Sequence, residues 1–360
     1  MKQNLIAACL AGACTTTALA QSNVTLFGIA DAAARSVSNS GRGSIKSLVS
    51  GSNSTSRIGF RGTEDMGGGL SAGFHLEHGI TLDTGADASS AQFFDRRSTV
   101  SLASKTWGEL RLGRDYTPTY SAWTRHDPFS YVGVAGSNNL VSATPTGAIR
   151  SAFGSNPNTT VRANNALQYF LPSDVAGLDG VDGSLMLAAG EGGLVANGVA
   201  KTIAARLGYG AGPVYISAAT AISENSLTGL GDFKDNTVGA SYNAGVARVS
   251  MAWRQFKQAS AKQSNLLLGV VVPVGLGEIK LSWNRADMDG KVGSLSISAN
   301  DATQLGLGYV HNLPKRTAVY ATSSRIANTG AATFVVPGGP AGLLGGGSST
   351  GYEAGVRHTF

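Results

Sequence analysis

The chain has 360 residues, of which 14% are charged and 49 are glycine. Its 28 lysine and arginine residues against 22 aspartate and glutamate residues give a net charge of +6, too small to indicate a nucleic-acid-binding protein. Mean hydropathy is close to zero, and after residue 20 no window offers the roughly eighteen apolar residues that a membrane-spanning helix needs. Such a composition suits a protein wall with one apolar face and one face in contact with water.

Residues 1–20 are predicted to be a signal peptide that is removed from the folded protein. Lys2 supplies a positive start, an apolar stretch begins at Leu5, and Ala18-Leu19-Ala20 is a small-x-small cleavage motif. We expect residues 21–360 to form a single domain.

Both cysteines, Cys9 and Cys14, lie in this leader. A lipoprotein signal is the alternative reading, but Cys9 has little apolar sequence before it and Cys14 follows Ala-Gly-Ala rather than a motif led by leucine. An exported domain without cysteine has no disulfide, so hydrogen bonds and packing alone must hold it together.

Apolar and polar residues alternate with a period of two along most of the chain, which is the pattern of β-strands with two different faces. In the first such segment Val24 and Leu26 lie on the face opposite Thr25 and Phe27. Further alternating segments lie at residues 57–63, 70–77, 248–254, 279–284 and 304–309.

The connections between these segments fall into a short and a long class. Short connections lie at residues 64–69, 105–109 and 311–315, and long polar or glycine-rich ones at 36–56, 80–94, 116–161 and 327–350. Short turns on one side and long loops on the other are typical of outer-membrane barrels. The sequence therefore predicts an all-β fold, a transmembrane antiparallel β-barrel of about sixteen strands.

The last ten residues form one more alternating segment. One face carries Tyr352, Ala354, Val356, His358 and Phe360. A final strand of this kind is expected to pair with the first and leave no edge exposed to lipid. We interpret Tyr352, Val356, His358 and Phe360 as a C-terminal barrel-assembly signal.

Several long motifs carry a resemblance to a known family, and they are VTLFGIADA, STSRIGFRGTEDMGGGLSAGFHLE, FDRRSTVSLASKTWGELRLGRDYTP, VRANNALQY, LGLGYVHNLPKRTAVY and GYEAGVRHTF. They resemble the Gram-negative general porins, in particular the β-proteobacterial branch with anion selectivity. The resemblance extends over residues 22–360. It implies a homotrimer in the outer membrane and a third long loop folded into the pore, which by position is Tyr116–Val161.

The same resemblance implies a ladder of arginines at the pore constriction. The matching positions are Arg57 in TSRIGF, Arg96 in FDRRST and Arg162 in VRANN. Alternation places Arg57 and Arg162 on the polar faces of their strands. Outward-facing Val100 and Leu102 would turn Arg97 inward instead of Arg96, unless a bulge or the strand end intervenes.

Arg61, Arg97 and Arg114 are second choices for the constriction. The resemblance also places two acids, Glu77 and Asp127, opposite the arginines, where carboxylates would hold the guanidinium groups in a fixed geometry. An outward-facing arginine at mid-membrane costs about 2–4 kcal/mol, so charges within the spans are expected to point inward or to lie near the rims.

The predicted function is passive diffusion of small hydrophilic solutes, with anions preferred because rings of arginine favour them. A substrate-specific outer-membrane channel is the alternative. No hydrolase, P-loop or dinucleotide motif is present, and the histidines lack metal-ligand spacing, so neither an enzyme nor a cofactor is predicted. The partners implied are outer-membrane lipid and lipopolysaccharide, the barrel-assembly machinery and anionic solutes, without nucleic acid. Outer-wall positions are predicted for Trp107, Trp253, Trp283, Tyr309 and Tyr352.

Overall fold

The computed structural model describes residues 23–141, 147–154, 157–172, 179–191, 198–224 and 229–360, so the predicted signal peptide lies outside the described residues. The strands are β1 (Asn23–Asn39), β2 (Gly43–Ser50), β3 (Arg57–Gly67), β4 (Leu70–Thr81), β5 (Ala86–Asp87), β6 (Arg97–Ser104), β7 (Gly108–Tyr116), β8 (Arg162–Phe170), β9 (Val181–Ala188), β10 (Thr202–Ala211), β11 (Val214–Ser223), β12 (Phe233–Asn243), β13 (Arg248–Gln258), β14 (Ala261–Val274), β15 (Gly277–Asp289), β16 (Lys291–Val292), β17 (Leu295–Ser296), β18 (Ala302–Asn312), β19 (Thr317–Asn328) and β20 (Ser348–Thr359). Two short α-helices, α1 (Pro118–Thr124) and α2 (Ala148–Phe153), and two 3₁₀ turns, Ser137–Leu140 and Pro157–Thr160, lie between β7 and β8. No helix among the described residues has the length and apolarity required to cross a bilayer.

The strands form a closed antiparallel barrel of sixteen wall strands. β5, β16 and β17 are short segments within loops, and β2 and β3 are two halves of one wall strand, because β1 pairs with both. The barrel closes where β1 pairs with β20, from Ile29 opposite Thr359 to Asn39 opposite Ser349. The predicted fold and strand number are confirmed.

The wall is apolar outside and polar inside, the reverse of a soluble protein. Outward-facing Leu187, Ile203 and Leu305 are each more than half exposed, whereas inward-facing Gln304 and Asn265 are buried. Alternating sequence produces this arrangement directly, since successive side chains on a strand point to opposite faces. An apolar outer wall of this extent requires lipid around it.

The two ends of the barrel differ in their connections. At the end where β1 begins, hereafter the turn end, β3 and β4 are joined by residues 68–69, β10 and β11 by 212–213, and β14 and β15 by 275–276. At the opposite, loop end, residues 117–161 between β7 and β8 form the longest connection, hereafter loop L3. The expected division into short turns and long loops is therefore present, with one correction. Residues 36–56 were predicted to be a long loop, but most of them belong to β1 and β2, which pair with each other as a hairpin.

Loop L3 folds into the barrel, as predicted. It starts with α1, where Thr117 caps the helix by accepting a hydrogen bond from the Tyr120 amide and Pro118 occupies the first turn. Inward-facing wall side chains then bind its backbone: Ser250 Oγ donates to the His126 carbonyl at 2.6 Å.

Glycines on the inner wall make room for this loop. A Cβ on Gly239 would lie 2.3 Å from the His126 ring, and one on Gly269 would lie 2.6 Å from Pro128. Since real Cβ atoms do not approach neighbours this closely, the loop can lie against the wall only where side chains are missing. The inner-wall glycines in contact with L3 are Gly239, Gly269, Gly306, Gly308 and Gly351.

A buried ion pair fixes the start and end of L3 to the wall. Arg254 on β13 donates to both carboxylate oxygens of Asp235 on β12, at 2.9 and 2.7 Å. Thr119 in α1 donates to the same carboxylate at 2.7 Å, and Arg254 donates to the Thr160 carbonyl at 2.7 Å. The apolar side chains packed around this anchor include Trp123, Phe153, Phe233, Phe256 and Leu267.

Candidate functional site

A polar passage of about 900 Å³ remains between L3 and the barrel wall. Seven basic side chains line it, and no aspartate or glutamate is among the described residues that do so. The basic residues are Arg57, Arg96, Arg125, Arg162, Arg206, Lys280 and Arg357. The narrowed interior therefore presents a positive surface to any permeating solute.

Glu77 joins two of the predicted arginines. Arg96 Nε forms an ion pair with Glu77 Oε1, and Arg57 Nε lies 3.6 Å from the same oxygen. His75 Nε2 is 3.2 Å from Glu77 Oε2. Glu77 is itself buried behind the arginines, so it positions two guanidinium groups while offsetting only one of their charges.

Tyr116 joins the third arginine to this group. Its hydroxyl accepts hydrogen bonds from Arg96 at 2.8 Å and from Arg162 at 3.2 Å. The Arg162 guanidinium carbon lies 4.6 Å from the centre of the Tyr116 ring, and Arg162 Nε donates to the Arg96 carbonyl at 3.0 Å. The structure thus brings Arg57, Arg96 and Arg162 together.

The strand end explains how Arg96 reaches the passage. β6 begins at Arg97, so Arg96 precedes the strand and is not bound by its alternation. Arg97 also points inward, where its Nε donates to Asp115 Oδ1 at 2.8 Å. Both side chains therefore face the interior, although only Arg96 lines the passage.

The other second-choice arginines do not line this passage. Arg61 lies nearer the turn end, with its guanidinium carbon 5.2 Å from the centre of the Phe27 ring. Arg114 is buried and donates to the Asp95 carbonyl at 2.7 Å and to Asn164. Arg114 thus binds neighbouring segments of the chain and does not face permeating solutes.

Asp127 was predicted to lie opposite the arginines, but the structure places it elsewhere. It is buried within L3, where its carboxylate accepts hydrogen bonds from the amides of Phe129, Tyr131 and Ser137 at 2.8, 3.0 and 3.1 Å. Burial raises the pKa of Asp127, and these hydrogen bonds oppose the shift. Asp127 therefore stabilises a turn inside the loop, because an aspartate side chain readily accepts hydrogen bonds from the amides that follow it.

Sequence reasoning missed four of the basic lining residues. Arg206 and Arg357 lie on the inward faces of β10 and β20, so alternation could have identified both. Arg125 carries no such signal: it lies in L3, and its guanidinium carbon is 3.6 Å from the centre of the Tyr215 ring. Lys280 is the fourth, on β15.

A short segment that interrupts one wall strand also borders the passage. Residues 51–56 separate β2 from β3, and Asp31 holds them by accepting hydrogen bonds from the amides of Asn53 and Ser54 at 2.9 and 2.6 Å. Asn53 in turn accepts a hydrogen bond from Arg357 at 2.7 Å. The passage is therefore bounded by L3 on one side and by this segment on another.

A closed barrel with an apolar outer wall, a polar interior and a charged passage narrowed by a loop defines a channel protein of the outer membrane. The sequence matches the Gram-negative porin family over residues 6–331. It is also 37% identical, over the full length of both chains, to outer membrane porin protein 32 of Delftia acidovorans. The chain belongs to the Gram-negative porin family, and its place is the outer membrane.

Solved structures give the same family likeness. An anion-selective porin from Comamonas acidovorans superposes with a TM-score of 0.79 at 35% sequence identity, covering 94% of this chain and 100% of that chain. A trimeric form of OmpT of Vibrio cholerae superposes with a TM-score of 0.62 at 12% identity, covering 94% of this chain and 99% of that one, which shows the fold alone.

Proposed function

We propose that this porin prefers anions and that the preference arises at Arg57, Arg96 and Arg162. The observation that carries the proposal is the convergence of these arginines: the buried carboxylate of Glu77 joins Arg57 and Arg96, and the Tyr116 hydroxyl joins Arg96 and Arg162. Low-dielectric walls focus the field of such charges into the passage, which raises the local concentration of anions and lowers that of cations.

Glu77 is proposed to keep the site conductive as well as ordered. With one carboxylate among three guanidinium groups, the cluster retains an excess of two positive charges. This net charge attracts a passing anion, but Glu77 prevents the anion from meeting three uncompensated arginines that would hold it. Conduction requires that solutes leave as readily as they enter. The similarity to a structure described as an anion-selective porin supports the same direction of selectivity.

The protein is proposed to act as a homotrimer without catalytic activity, exported by residues 1–20 and then folded as the single domain 21–360. The final strand supports the proposed role in barrel assembly. Tyr352, Val356 and Phe360 are exposed on its outer face, and Phe360 exchanges two backbone hydrogen bonds with Gly28, both at 3.1 Å. His358 shares that face, and its Nδ1 lies 2.9 Å from Thr317 Oγ1.

The test is the reversal potential of the purified protein in a planar bilayer under a KCl gradient. The wild type should give the sign expected for chloride preference, and Arg57→Gln/Arg96→Gln/Arg162→Gln should move the potential towards zero. A matched control, Lys105→Gln/Lys315→Gln/Arg316→Gln, removes three charges from the turn end and should leave the potential unchanged. A cation-selective wild type, or equal effects of the two triple variants, would refute the proposal.

The alternative of a substrate-specific channel is distinguished by the dependence of flux on concentration. Diffusion through an open passage gives flux that rises linearly with solute concentration, whereas a specific channel saturates. Liposome swelling with a series of sugars and organic acids makes this measurement, and saturation for one solute alone would favour the specific channel.

A further inference from the structure

Neutral oxygen atoms hold Arg162 in the passage. Its Nε donates to the Arg96 carbonyl at 3.0 Å, and its Nη2 donates to the Tyr116 hydroxyl at 3.2 Å. Among the described residues, no carboxylate lies within ion-pair distance of Arg162. A guanidinium group that is positioned only by neutral acceptors keeps its full charge in the passage.

The Tyr116 hydroxyl brings two like charges together. It accepts a hydrogen bond from Arg96 at 2.8 Å as well as the one from Arg162, so both guanidinium groups bond to a single oxygen atom. Repulsion between the two charges favours a wider separation, which this shared acceptor opposes. A carboxylate in the same place would also hold both groups but would cancel one charge, whereas a phenol hydroxyl cancels none.

The Tyr116 ring is fixed by contacts that do not involve its hydroxyl. Tyr116 is the last residue of β7, and the Tyr120 ring in α1 stacks on it with centroids 5.0 Å apart and 13° between the ring planes. The Arg162 guanidinium carbon lies 4.6 Å from the centre of the Tyr116 ring. A phenylalanine at position 116 would therefore keep the ring contacts and lose only the shared oxygen atom.

A second tyrosine of the barrel interior, Tyr215, differs from Tyr116 in one respect. Its hydroxyl accepts a hydrogen bond from Arg206 at 2.9 Å, but it also donates one to Asp182 at 2.8 Å. Asp182 forms an ion pair with Arg206, so this carboxylate both positions the guanidinium group and offsets its charge. Tyr215 is thus a matched comparison for Tyr116, because each hydroxyl bonds to an arginine that lines the passage.

We propose that Tyr116 is a positioning residue for anion selectivity, whose uncharged hydroxyl holds Arg96 and Arg162 close together without lowering their combined charge. The density of positive charge beside the passage, and with it the local concentration of anions, depends on this one oxygen atom. The inference rests on the proposed anion preference. It adds to the charged residues of the cluster a neutral one that charge counting along the sequence does not identify.

The test is the reversal potential of the full-length Tyr116→Phe porin in a planar bilayer under a KCl gradient. The variant carries the same charge as the wild type, yet its ratio of chloride to potassium permeability should fall about threefold, the change expected when a guanidinium group moves about an ångström away from a passing anion. Tyr215→Phe should keep about the wild-type ratio, because Asp182 still holds Arg206. An unchanged ratio in Tyr116→Phe, or an equal fall in both variants, would overturn the proposal.

A third comparison separates positioning of the arginines from a merely structural role. In the Arg96→Gln/Arg162→Gln background the hydroxyl has no guanidinium group to hold, so adding Tyr116→Phe should leave the permeability ratio unchanged. A further fall in that background would show that Tyr116 acts by another route and would contradict the proposal. A wild type without anion preference would refute both this inference and the proposed function, whereas an anion-selective wild type with an unchanged Tyr116→Phe ratio would refute only the role of Tyr116.

Discussion

Replacing Asp235 with alanine should release L3 from the barrel wall. The carboxylate binds Arg254 through two hydrogen bonds and also accepts one from Thr119, and the side chains of the ion pair are 1% and 4% exposed. Without Asp235, the Arg254 guanidinium remains buried without its carboxylate. Breaking a buried pair by removing one partner typically costs about 3–5 kcal/mol, and we expect a loss of that size in the free energy of unfolding.

Equilibrium unfolding in urea, with the barrel folded in lipid vesicles, measures this loss. Asp289→Ala is the matched control, because it breaks an ion pair with Lys262 at 3.5 Å whose side chains are about half exposed, and such pairs contribute about 0–1 kcal/mol. Single-channel current noise should also rise in Asp235→Ala, since the freed loop borders the passage. The double variant Asp235→Leu/Arg254→Met should recover much of the stability because it leaves no buried charge. The reasoning fails if Asp235→Ala lowers the free energy of unfolding by no more than Asp289→Ala does.

Three further predictions concern the passage and its loop. Glu77→Gln should make the reversal potential more strongly chloride-selective, since it removes the carboxylate of the arginine cluster; an unchanged potential would contradict this role. Burial, together with Arg125 and Arg248, lowers the pKa of His126 to about 4 from 6.5. The folded barrel should therefore lose stability as pH falls from 6.5 to 4, by about 3 kcal/mol in total, and His126→Gln should abolish this part of the pH dependence in urea unfolding. Gly239→Val should displace L3, seen as faster proteolysis within the loop, because its Cβ would lie 2.3 Å from the His126 ring; proteolysis at the wild-type rate would contradict the close packing.

Alternation in the sequence predicted most of the wall and the position of Arg57, because a strand in a closed barrel has only two faces. It was less informative at strand ends. Arg96 was ambiguous since it precedes β6 by one residue. Asn165, at φ 50°, interrupts the alternation of β8 between Arg162 and Gln168, so the placement of Arg162 in the passage does not follow from counting residues.

The path of L3 could not be read from the sequence in the same way. Its contacts join residues more than one hundred positions apart, as in the hydrogen bond from Gln263 to the Leu140 carbonyl. Asp127 was misplaced because a lone carboxylate in a loop has no period to indicate its direction. Arg125 was missed for the same reason, whereas Arg357 was on the polar face of a strand that the sequence had already identified.

The cluster of three arginines belongs to the wall, while the obstruction beside it belongs to the loop. Arg57 and Arg162 are the first residues of β3 and β8, and Arg96 immediately precedes β6. The width of the passage and its charge are therefore encoded in different stretches of the chain. Each could be altered by engineering without redesign of the other. Shortening the insertion would widen the aperture of a nanopore built on this scaffold. If the proposed role of the three arginines holds, exchanging them for acidic residues would change the sign of the ions that the pore prefers.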